Sequence, residues 1–115
     1  MSTEWSDQIL ISDLSDEPEL SDELASVYQR VAEQDVERTP NVVLNFSSVT
    51  YLNSSNIAQM LRLRKRLTEC DRRLMLCSLG DPIWSTMLLT GLDKVFSFAP
   101  DTATALAALQ LDDAS

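Results

Sequence analysis

The chain has 115 residues, and eighteen acids against nine bases leave it a net charge of −9. That length supports one domain, able to bury roughly two-thirds of its unfolded surface without help from a metal or disulfide. The charge argues against a nucleic-acid partner, whose phosphates it would repel, and the apolar runs are far too short for direct membrane insertion. No basic segment followed by an apolar core marks a secretory signal, so the expected location is cytoplasmic.

In chain order, residues 1 to 7 predict a flexible N-terminus. "QILI" (8–11) is short, apolar and β-branched, the pattern of a buried strand. "SDLSDEPEL" then carries turn and cap signals, with Ser15 or Asp16 as cap and Pro18 in the first turn of a helix. Leu20, Leu24, Val27, Tyr28 and Val31 give that helix one apolar face. Pro40 marks a loop over 37–41. Val42, Val43, Leu44 and Phe46 read as a strand buried on both sides, as in a parallel sheet covered by helices.

After Asn53, the positions Ile57, Met60, Leu63, Leu67 and Cys70 recur at threes and fours, with Arg62, Lys65, Arg66 and Glu69 opposite. This is an amphipathic helix. "RLMLCSL" (73–79) is a second buried strand. Gly80, Asp81 and Pro82 open a helix whose apolar face is Ile83, Trp84, Met87 and Leu88, and Gly91 ends it. "KVFSF" (94–98) is a short strand, and Pro100 and Asp101 open a last helix to about Leu111. Residues 112 to 115 predict a flexible tail, leaving one domain over 8–111. The alternation implies an α/β fold with about four strands, mainly parallel, and about four helices.

Residues 1 to 38 hold eleven of the acids and two bases, and the remainder is neutral. The plainer reading is a solvated helix face, the sharper one an acidic docking surface. Cys70 and Cys77 read as reduced core thiols. With no histidine, neither a metal site nor a serine–histidine pair is expected, and two glycines make no phosphate-binding loop. No cofactor is implied. An enzyme built on Asp16, Glu19 and Glu23 ranks below a binding module.

Asn53-Ser54-Ser55-Asn56 lies where a buried strand gives way to a helix. One capping residue there is worth roughly 1 kcal/mol over alanine, which accounts for one of the four. The alternative is phosphorylation. A phosphate carries roughly −1.5 to −2 charges, and a helix start tolerates it while a docked partner does not.

"VVLNFSSVTYLNSSN" (42–56) resembles the strand–D-S-[ST]-G–helix signature of STAS domains, the fold of bacterial anti-sigma factor antagonists. "LLTGLDKVFSF" (88–98) and "PEL" (18–20) resemble two further segments of that family, so the likeness covers about residues 8 to 110. It implies a non-enzymatic module that binds an anti-sigma factor, itself a GHKL-type serine kinase, and is switched off by phosphorylation at Ser54. The implied partner-binding residues are Asn53, Ser54, Ser55, Asn56, Gln59, Arg62 and Arg66. Asn53 stands where the family has aspartate, and Asn56 where it has glycine. The usual N-terminal pair of strands reads here as one, which would bare a sheet edge suited to a homodimer. A second function within the family is a constitutive regulatory subunit of an ABC-type lipid transporter, without a phosphate switch.

Overall fold

A computed structural model gives the backbone of residues 2–5 and 9–114 and the side chains of residues 9–110. One five-stranded sheet runs in the order β1 (Ser2–Trp5), β2 (Ile9–Ser15), β3 (Asn41–Ser48), β4 (Leu74–Cys77) and β5 (Ser97–Ala99). β1 pairs antiparallel with β2, and every other pairing is parallel. Four helices join them: α1 (Glu19–Ala32), α2 (Ser54–Glu69), α3 (Asp81–Thr90) and α4 (Thr102–Ala114).

The alternation of β3 explains the layering. Val42, Leu44 and Phe46 point to one face, where they join Leu24 and Val27 of α1, Met60 and Leu63 of α2, and Ile83 and Met87 of α3. Val43 points to the other, with Ile9, Met75 and Cys77, against Ala105 and Leu109 of α4. Three helices on one face and one on the other bury β3 on both sides, as its unbroken apolar run requires. Phe46 is fully buried, and truncating such a side chain costs about 3–5 kcal/mol. Cys70 and Cys77 are buried and unpaired.

Several expectations need correction. The segment expected to fray contains β1, so the strand pair at the N-terminus is present and the exposed edge of β2 is covered. Four mostly polar residues give no alternation to read, and pairing alone makes them a strand. Residues 1, 6 and 7 of that segment, and Gln8 of the expected strand over 8–11, lie outside the described residues. β2 runs on to Ser15, because Leu14 returns to the core after buried Ser12. β5 falls at Ser97–Ala99 rather than 94–98, since Leu92–Lys94 form a 3-10 turn behind Gly91. Gly91 closes α3 at φ 76°, the left-handed conformation expected of it. On α3 only Ile83 and Met87 are buried, while Trp84 and Leu88 are exposed. The backbone of α4 continues to Ala114.

Candidate functional site

Four parallel strands end at the same side of the sheet, so the turns leading into α1, α2, α3 and α4 share one rim. In α/β sheets that rim is where ligands and partners usually meet the fold. The serine pair lies on it, at the first turn of α2.

Asn53, not a serine, caps this helix. Its side chain accepts a hydrogen bond from Asn56 N at 2.8 Å, while Asn53 N donates to Asn56 Oδ1 at 3.0 Å. The two residues form a reciprocal capping box. Asn56, expected on the docking surface, is fully buried, and its role is to hold the loop from beneath. A glycine at this position could not return that bond. With the cap supplied, Ser54 and Ser55 become the first two helical residues, both exposed. Among the described residues, neither hydroxyl has a hydrogen-bond partner. The first turn of α2 holds no acid, so the positive end of its dipole is not neutralised by its own residues.

The neighbouring β2–α1 turn is tied to this loop by acids. Asp16 accepts bonds from Thr50 N at 2.8 Å and Thr50 Oγ1 at 2.7 Å. Those two bonds, the backbone one foremost, hold its carboxyl below the ordinary value. Glu17 accepts from the Ser21 hydroxyl and backbone N, both at 2.6 Å, which lower its pKa in turn. Its Oε2 also lies 3.5 Å from Asn53 Nδ2. Glu17 therefore brings a carboxylate to the side chain that caps α2. Neither Ser15 nor Asp16, the two caps expected for α1, serves as one: Pro18 holds the cap position, Asp16 bridges to Thr50, and Glu17 serves the first turn of that helix. No sequence signal pairs Asp16 with Thr50, because 34 positions separate them.

The remaining predicted residues lie along the seam with α1. Gln59 Nε2 donates to the Ser21 carbonyl at 3.0 Å. The Arg62 guanidinium sits 5.8 Å from the centre of the Tyr28 ring. Arg66 Nη2 donates to the Gln34 carbonyl at 3.3 Å. Arg62 remains exposed, whereas Gln59 and Arg66 are half-buried. A single-helix pattern does not reveal which polar row a neighbouring helix will cover. The fully outward row of α2 continues from the serines through Ala58, Leu61 and Lys65. Tyr51, just before the cap, is 65% exposed. A large aromatic presented to solvent beside this loop is a strong anchor for a partner.

Two of the three acids named for an enzyme, Asp16 and Glu23, are held in structural hydrogen bonds. Asp16 is committed to Thr50, and buried Glu23 accepts Ser15 N at 2.7 Å. Glu23 is thus no part of a solvated acidic face, while Glu19 and Asp22 are exposed. Among the described residues no helix is long and apolar enough to cross a membrane.

Comparison with known proteins agrees with this geometry. No curated protein matches the chain significantly. Solved structures do. An anti-sigma-factor antagonist (STAS) domain protein from Planctomyces limnophilus has a TM-score of 0.80 at 18% identity, covering 95% of this chain and 97% of that one. A sulfate transporter family protein from Wolinella succinogenes has a TM-score of 0.71 at 16% identity, covering 94% and 88%. The anti-sigma factor antagonist SpoIIAA in its unphosphorylated form has a TM-score of 0.68 at 12% identity, covering 93% and 94%. At these identities the likeness is one of fold. The family model of the STAS domain matches residues 10–105, nearly the whole described domain, and the chain belongs to that family.

Proposed function

We propose that this protein is a regulatory binding module, an antagonist of an anti-sigma factor that is also a serine kinase, with Ser54 as its switch. One observation carries the reading. The capping box of Asn53 and Asn56 does all the work of starting α2, so the exposed Ser54 hydroxyl has no structural duty. A kinase can reach it without unfolding the domain. A phosphate there would meet the backbone N–H groups of the helix start, which accept anions. The first basic side chain along α2 is that of Arg62. Arg62 is eight residues on, about 12 Å along the axis, and lies over Tyr28. A partner seated on Tyr51, Ser54 and Ser55 would then have to bury the charge unpaired.

The second reading is a constitutive subunit of an ABC-type lipid transporter. The reciprocal Asn53–Asn56 bonds favour it, since they set the loop in one shape whether or not a phosphate arrives. Isolation of the protein from its own cells separates the two. Phosphate mapped to Ser54 by mass spectrometry, with a GHKL-type kinase co-purifying, is the expected result. A stable complex with a transporter ATPase that is indifferent to Ser54→Ala would overturn the switch in favour of the scaffold.

A further inference from the structure

Six of the nine bases fall between residues 62 and 73, against two acids, in an otherwise acidic protein. Three of them, Arg64, Arg72 and Arg73, line one cavity of about 150 Å³ together with the hydroxyl residues Thr68 and Ser97. The cavity lies at the amino-terminal ends of β4 and β5, behind the last turns of α2, on the opposite rim from Ser54. Thr68 is fourteen residues along α2 from Ser54, about 21 Å at 1.5 Å per residue. Among the described residues, no carboxylate lines it.

Its walls are held in place. Arg64 Nε donates to the Val95 carbonyl at 3.0 Å, which orients the guanidinium and leaves its outer N–H groups to spare. Arg73 N donates to Asn41 Oδ1 at 2.8 Å, and the Arg73 carbonyl accepts Val42 N at 3.0 Å, fixing the start of β4. Arg72 Nε is buried with no hydrogen-bond partner. A buried N–H of a charged group without an acceptor is costly, and this one is explained if an acceptor occupies the cavity.

We propose that this cavity is a binding site for a tetrahedral oxyanion of the phosphate class. The guanidinium groups of Arg64 and Arg72 present N–H donors matched to phosphate oxygens, and the Thr68 and Ser97 hydroxyls complete the shell. The volume decides the size of the ligand. At about 30 Å³ per water, the cavity holds the equivalent of about five waters. It has room for one phosphate group. The source is either free inorganic phosphate or the end group of a phosphate monoester whose remainder stays in solvent. The site is independent of the Ser54 switch.

The test is titration of the full chain, observed through backbone amide NMR shifts. The probes are inorganic phosphate and glycerol phosphate, with ionic strength held constant by sodium chloride. Saturable shifts centred on Thr68, Arg72, Arg73 and Ser97 are expected. Arg72→Gln should weaken binding at least about tenfold, as loss of a charge-assisted donor does, while Lys65→Gln, outside the cavity, should change it by less than about twofold. Tighter binding of the monoester identifies an end group, and tighter binding of the inorganic ion identifies the free anion. If Arg72→Gln does not fold, Arg64→Gln takes its place with the same expectation. Shifts no larger than those from chloride, or equal affinity in a folded arginine variant and the wild type, would overturn the site.

Discussion

Replacing Ser54 by aspartate places a charge at the proposed switch, and the structure sets two separate magnitudes for it. For the fold, the first turn of α2 holds no acid and Ser54 is exposed, so a carboxylate gains about 0.3–1 kcal/mol from the helix dipole. Repulsion from Glu17, bound to the adjacent Asn53, offsets part of that gain. The net change should lie within about 0.5 kcal/mol of zero, or about 2 °C in Tm. For the partner, burying an unpaired charge costs about 3–5 kcal/mol, which is at least a hundredfold in Kd at about 1.4 kcal/mol per decade. Urea unfolding and calorimetric titration with the co-purified kinase measure the two quantities on the same sample. Ser54→Ala is the control, expected to keep both within about 0.5 kcal/mol because Asn53 supplies the cap. Two results would refute the reasoning. Loss of about 1 kcal/mol of stability in Ser54→Ala would make the serine a structural cap. Partner affinity within about threefold of wild type in Ser54→Asp would mean that no partner buries this loop.

Asn53→Ala should destabilise the protein by about 1 kcal/mol, lowering Tm by about 4 °C, because Asn56 N loses its acceptor. Thermal unfolding by circular dichroism checks it. Gly91→Ala should cost about 1 kcal/mol in urea unfolding. Nothing lies within 4 Å of the added carbon, so the cost comes from the φ of 76° alone. Asp16, Glu17 and Asp101 have pKa values below the ordinary carboxylate range in the folded protein, Asp101 chiefly through Thr104 N. Groups with depressed folded values contribute stability that is complete above the unfolded pKa of about 4 and is lost as pH falls through the folded values. Urea midpoints should therefore hold steady from neutral pH to about 5 and decline below about 4. Asp16→Asn should make that decline shallower, and an unchanged acid slope would show that the Thr50 tether carries no linkage.

Much of this protein was legible in the one-dimensional pattern, because that pattern records periodicity and local chemistry. The both-sides-buried β3, the apolar rows of α1 and α2, the glycine stop at Gly91 and the serine pair at a helix start all follow from neighbours within a few residues. What required the third dimension was every decision made between distant segments. β1 exists through its pairing with β2, and its residues carry no alternation. Buried Glu23 folds back onto Ser15, and the Asp16–Thr50 tether and the carboxylate that Glu17 brings to Asn53 join residues far apart in the chain. The neighbouring α1, invisible to the helical wheel of α2, turned Gln59, Arg62 and Arg66 from a free face into a seam. Local propensity chooses the elements. Only their packing decides which polar groups are committed inside the molecule and which, like the Ser54 side chain, stay exposed.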